Sequence, residues 1–277
     1  MLDKLFDWPL IVGGPVIVGS LCIYSLLGLA VVRRWILPRW RIQTVDGEFS
    51  GAMLQAIMVF YGLALALIAV NVWETYSDVS KIISQEATAL GALYRDSSTY
   101  PDPIRSQLQG QLREYTEQVI NRAWPMQRRG EFPREGVEIM NRFQTSLARF
   151  EPVTEGQKIL HAETFRAYNT LILARQLRLD AVATRLPGIL WFVVIAGAVI
   201  SLSSGFFFKI EEPRLQRVQN LLLAVFMGLV IFMILALDRP FRGDLAVKPE
   251  PYQLIYDRLM ATQSHPADDD RQDKINK

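Results

Sequence analysis

The hydrophobic pattern marks out four uncharged runs and one long helical periodicity. Residues 10–32, 52–72, 186–208 and 218–237 carry no acidic or basic side chain. Each is long enough to cross the hydrocarbon core of a bilayer as a helix. The second run passes without a proline into a charged segment that keeps apolar residues at Val79, Ile82, Ile83, Ala87, Leu90 and Tyr94, a helical spacing. Gly51 to Asp96 therefore predicts one rod, on the order of 70 Å long at about 1.5 Å per residue. It leaves the membrane and becomes the first helix of a soluble domain.

The stretch 73–185 reads as a helical bundle. A second helix, about 103–124, opens at Asp102-Pro103 and is expected to stop at Trp124-Pro125. The turn MQRRGEFP leads to a third, about 134–149, with Glu138 and Arg142 one turn apart. A fourth starts near Thr154 and presents Ile159, Phe165, Tyr168, Leu171, Ile172 and Leu179. It is expected to run into the third span, with Pro187 as the only kink. Strand-like alternation is absent. The predicted fold is an all-α membrane protein with four transmembrane helices. A helical bundle is inserted between spans two and three, and both of those spans continue into it. The expected organisation is 1–72 (spans one and two with a basic loop), 73–185 (bundle), 186–238 (spans three and four) and 239–277. The last part holds a short helix, about 252–262, burying Leu254, Ile255 and Leu259, and a polar tail expected to be disordered.

Composition agrees with this mixture: half the residues are hydrophobic, yet 21% are charged. A net charge of +2 without a basic face points away from nucleic acid. The single Cys22 lies in the first apolar run, so no intrachain disulfide can form. Trp8–Val32 is followed, not preceded, by Arg33 and Arg34, and is read as a span instead of a leader. The short loops 33–48 and 209–217 are rich in Lys and Arg. The positive-inside rule then expects loop 33–48 in the cytoplasm and the helical domain outside.

Little in the chain suggests chemistry of bond-making. The histidines, His161 and His265, form no metal-ligand spacing, and His161 is read as structural. No phosphate loop or nucleophile motif occurs. No enzyme, metal or cofactor is expected. No carboxylate falls within a span, which argues against proton-coupled transport. Asp268, Asp269 and Asp270 lie in the tail without the spacing of a calcium loop. Asp238-Arg239-Pro240-Phe241 is read as the terminator of span four. In span two, Gly51, Gln55, Gly62, Ala66 and Ala69 fall near one face, and Met53, Ile57, Phe60, Leu67 and Asn71 cover the rest. Two readings stay open: ordinary helix packing with bulky residues in lipid, or a ring of such helices around an ion path with an apolar constriction.

The segments YGLALALIAVNVWETY, QEATALGALYRDS, Trp124-Pro125, RLPGILWFVVIAGAVIS and LDRPFRG, in this order over roughly 10–260, resemble the bestrophin-like family of bacterial membrane proteins. That family is distantly related to bestrophins, which are pentameric anion channels with a pore lined by the second span. The resemblance implies a homo-oligomer, a pentamer by analogy, in a bacterial inner membrane, conducting small inorganic ions such as chloride. The helical domain would then be periplasmic by the charge rule, opposite to bestrophins. Pore-lining candidates are Gln55, Ile57, Phe60, Tyr61 and Asn71. Basic candidates at the mouth or vestibule are Arg33, Arg34, Arg39, Lys81 and Arg95. The chain departs from bestrophins in lacking a ladder of aromatics in span two and the acidic calcium clasp after span four. The competing reading is a non-conducting membrane scaffold or sensor.

Overall fold

The computed structural model describes residues 10–36, 38, 47–207 and 213–261. Arg39, His265, Asp268–Asp270 and the expected disordered tail lie outside them. Among the described residues all regular structure is helical. The chain divides into two compact units, residues 1–77 with 185–245, and residues 78–184 with 246–277.

The first unit holds α1 (Leu10–Val31), the first half of α2 (Gly47–Ser97), α7 (Gly188–Ser204) and α8 (Pro213–Leu237). These are the four helices long and apolar enough to cross a membrane, and the chain is a multi-pass membrane protein. α1 and α8 pack most extensively. Gly228 makes this possible, because a Cβ there would come within 2.9 Å of the Val18 backbone. The core between the spans is built from Leu65, Ile68, Val72, Val194, Ala198 and Ile234. α2 is unbroken for 51 residues, as its proline-free pattern predicts.

The second unit contains the rest of α2 with α3 (Ile104–Gln118), α4 (Trp124–Gln127), α5 (Glu135–Ala148), α6 (Glu155–Val182) and α9 (Glu250–Ile255). Its centre is Ile83, Leu90, Leu108, Leu112, Phe143 and Leu171, all essentially without solvent contact. α6 starts with a capping box, in which Thr154 and Gln157 satisfy each other's backbone N–H groups. The chain rejoins this unit from Ala246 onward. Trp124 Nε1 donates to the Val247 carbonyl at 3.2 Å, and Arg113 Nη2 to the Met260 carbonyl at 2.9 Å.

Three sequence expectations need correction. The second helix does not stop at Trp124-Pro125: a π-helical turn, Val119–Ala123, shifts the register and α4 follows directly. Pro125 then occupies a first-turn position, where its missing N–H leaves no bond unmade. Nor does span three continue into the bundle. α6 ends at Val182, and helix resumes only at Gly188. Pro187 is extended (φ −55, ψ 139) and disfavours helix at Leu186 before it. The short C-terminal helix buries Tyr252 and Met260, while Leu254 is 48% exposed.

Candidate pore helix and buried charge network

One face of α2 is committed to its own protomer. Tyr61, Leu65, Ile68 and Val72, spaced four, three and four residues apart, are buried. Tyr61 donates its hydroxyl to the Val194 carbonyl at 2.8 Å, and its ring lies against Gly197. The remainder of the helix is open. Phe60 is 73% exposed against 9% for Tyr61.

The sequence candidates therefore divide. Tyr61 is on the packed face. Phe60 and Asn71 are exposed and, eleven residues apart, share a stripe with Leu63 and Leu67. Gln55 is exposed on another side, in line with Gly62 and Ala66, and Ile57 lies near the edge of the packed face. The open surface thus has a bulky apolar stripe ending in Asn71 and a stripe of small residues ending in Gln55.

The basic candidates are not gathered into one cluster. Arg33 is half-buried and donates to Gln216 Oε1. Arg34 is exposed. Lys81 pairs with Asp78 at 2.9 Å, both exposed, so this pair adds little stability. Arg95 is exposed too, fourteen residues further along the same helix.

The sequence reading missed the most constrained polar group, at the centre of the second unit. Glu86 sits on the buried stripe of α2 between Ile83 and Leu90, and Arg178 on the buried stripe of α6. Arg178 Nε reaches Glu86 Oε2 at 2.6 Å and Nη2 reaches Oε1 at 3.2 Å. Its Nη1 donates to Gln127 Oε1 at 2.7 Å, and Tyr115 donates to Glu86 Oε1 at 2.7 Å. The Arg178 guanidinium lies 5.9 Å from the Tyr252 ring centre. Burial alone would lower the Arg178 pKa, but the Glu86 carboxylate with Tyr252 and Tyr115 outweighs it and holds the value well above normal. Burial, then the Glu86 charge, raises the Tyr115 hydroxyl. The available signal was a charge at a core position in each of two amphipathic helices.

Two smaller groups complete the picture. Asp238, read as part of a span terminator, is buried and accepts from Leu186 N at 2.5 Å and Trp191 Nε1 at 3.3 Å. It thereby fixes the entry of α7 and the exit of α8 together. His161 bonds Tyr100 through Nδ1 at 2.9 Å and packs among Tyr100, Phe150 and Phe165, a structural environment. No group of three or more His, Cys, Asp or Glu side chains able to hold a metal occurs among the described residues.

A family model described as the bestrophin-like domain matches residues 19–252. Among solved structures, the chain is similar to a bacterial bestrophin homologue from Klebsiella pneumoniae carrying a leucine-to-threonine mutation. The two share 10% sequence identity with a TM-score of 0.64, over 91% of this chain and 99% of the other. That likeness concerns the fold. No curated protein matches the sequence.

Proposed function

This chain belongs to the bestrophin-like family, and on that premise we propose that it forms an oligomeric ion channel whose pore is lined by α2 from several copies. The observation that carries the reading is the open state of α2. Outside the face of Tyr61, Leu65, Ile68 and Val72, its large apolar residues stand open, Phe60 at 73% and Leu67 at 63% exposure. A proline-free apolar helix with so little of its surface packed needs lipid or further copies of itself. Its two stripes suit the second role. Gly62 and Ala66 permit close approach of neighbouring helices, and Phe60, Leu63 and Leu67 form an apolar constriction around the axis. Asn71, at the end of the same stripe, supplies an amide N–H donor beside the constriction, which favours anions such as chloride. The short basic loops put residues 33–48 on the cytoplasmic side. The test is halide entry into liposomes containing the purified protein, followed by an encapsulated halide-quenched dye. Iodide entry faster than in empty liposomes, and slowed by Asn71→Leu, supports the reading. A rate equal to that of empty liposomes favours a membrane scaffold.

A further inference from the structure

In the first unit, polar side chains from three spans are buried together. Ser25 of α1, Ser201 of α7, and Gln216 and Asn220 of α8 are each at most 8% exposed. Ser25 Oγ donates across to the Asn220 carbonyl at 3.3 Å. Gln216 Nε2 donates to the Gly205 carbonyl at 3.3 Å, and its Oε1 accepts from Arg33. Tyr24 and Ser203, beside them on α1 and α7, share a hydrogen bond of 2.7 Å. None of these side chains is a carboxylate, and Arg33 is bonded to a neutral partner. The cluster therefore carries positive charge only.

Two of its members are unpaired: Ser201 Oγ and Asn220 Nδ2 are buried without a hydrogen-bond partner. Ser201 is unusual in this. Other buried helical hydroxyls close on the preceding turn of their own helix, Ser97 on the Leu93 carbonyl, Thr116 on Leu112 and Thr164 on Leu160, all at 2.8–2.9 Å. Ser201 makes no such bond. The Asn220 amide lies over Gly205, where a Cβ would come within 2.9 Å of Oδ1 and 4.0 Å of Nδ2. Ser201 is one helical turn before Gly205, so both unpaired groups border the same stretch between α7 and α8. Their neighbours along the helices are small, Ala198 and Gly205 on one side and Ala224 on the other. Within a membrane span, polar groups left unmade are costly, and both favour an occupant.

We propose that this cluster binds one small anion of halide size inside the protomer. Ser201 Oγ–H and Asn220 Nδ2–H donate to it. The Ser25 hydroxyl, held only by its long bond to the Asn220 carbonyl, turns to it as a third donor. A cation fits poorly, because an amide N–H faces the site and no carboxylate does. The site lies apart from the α2 stripes and does not depend on a pore lined by that helix.

Thermal melting of the full chain in a non-ionic detergent tests the assignment, with potassium chloride replacing potassium gluconate at constant ionic strength. The expected result is a saturable rise in melting temperature, about 3 °C or more between one tenth and ten times the midpoint concentration. Asn220→Leu deletes the amide donor at similar volume and keeps the backbone carbonyl for Ser25. It should melt no lower than wild type in gluconate and lose the chloride response. Ser201→Ala, which removes a single oxygen, should raise the midpoint at least about tenfold, as loss of a hydrogen bond to a charged ligand requires. A melting temperature independent of chloride would mean that water satisfies the pair, and would overturn the proposal. So would a chloride response retained in Asn220→Leu, or a midpoint unmoved by Ser201→Ala.

Discussion

Replacing Arg178 with Met removes the hub of the buried network. The substitution keeps much of the side-chain volume and deletes three charge-assisted hydrogen bonds, two to Glu86 and one to Gln127. It leaves the Glu86 carboxylate fully buried, with the Tyr115 hydroxyl as its remaining partner. Breaking one side of a buried ion pair costs about 3–5 kcal/mol, mainly because the survivor is stranded. At roughly 2–4 °C per kcal/mol, the melting temperature should fall by roughly 6–20 °C. Tryptophan emission and far-UV circular dichroism, followed on heating in a single detergent, measure this. Trp124 packs against Tyr252 beside the network and reports directly. The double variant Glu86→Gln, Arg178→Met no longer strands a charge, so it should recover at least half of the loss. A single variant within about 1 kcal/mol of wild type, or a double variant as unstable as the sum of both singles, would refute the reasoning.

Other substitutions probe separate parts of the account. Gly197→Ala places a Cβ 2.1 Å from the Tyr61 ring, so the ring must move and the bond to Val194 breaks; about 1–3 kcal/mol should be lost, read by thermal melting. Asp238→Ala strands the Leu186 N–H and the Trp191 indole N–H, and should cost about 2–4 kcal/mol, whereas Asp238→Asn keeps one acceptor oxygen and should cost less. Burial lowers the His161 pKa, so the fold favours the neutral ring. The stability this supplies is complete above the ordinary value of about 6.5 and is lost as pH falls through the lower folded value. Melting temperature should therefore drop between pH 7.5 and pH 5, and drop less in His161→Gln.

The large features were legible because they depend on local pattern. The absence of proline and charge from 51 to 73 was enough to foresee an unbroken α2, and the capping residue Thr154 marked the start of α6. The break before span three was harder. Pro187 alone is compatible with a kink, and what holds the chain extended there is Asp238, about fifty residues away. Pro125 misled for a similar reason, since a π-helical turn just upstream changes what a proline costs. The Glu86–Arg178 pair was hidden because a lone charge on a helix is ordinarily solvated. Only the pairing of two distant core positions makes burial affordable. Within α2, the sequence named Tyr61 and Phe60 together, but adjacent residues on a helix point about 100° apart, and packing against Val194 claims Tyr61.

Planar-bilayer recording of the purified oligomer under a KCl gradient tests the central claim most directly, comparing wild type with Phe60→Ala and Tyr61→Phe. The account predicts unitary steps reversing near the chloride potential, enlarged by Phe60→Ala on the open stripe and unchanged by Tyr61→Phe on the packed face. Silence from a verified oligomer, or steps that Phe60→Ala leaves untouched, would contradict a pore lined by α2.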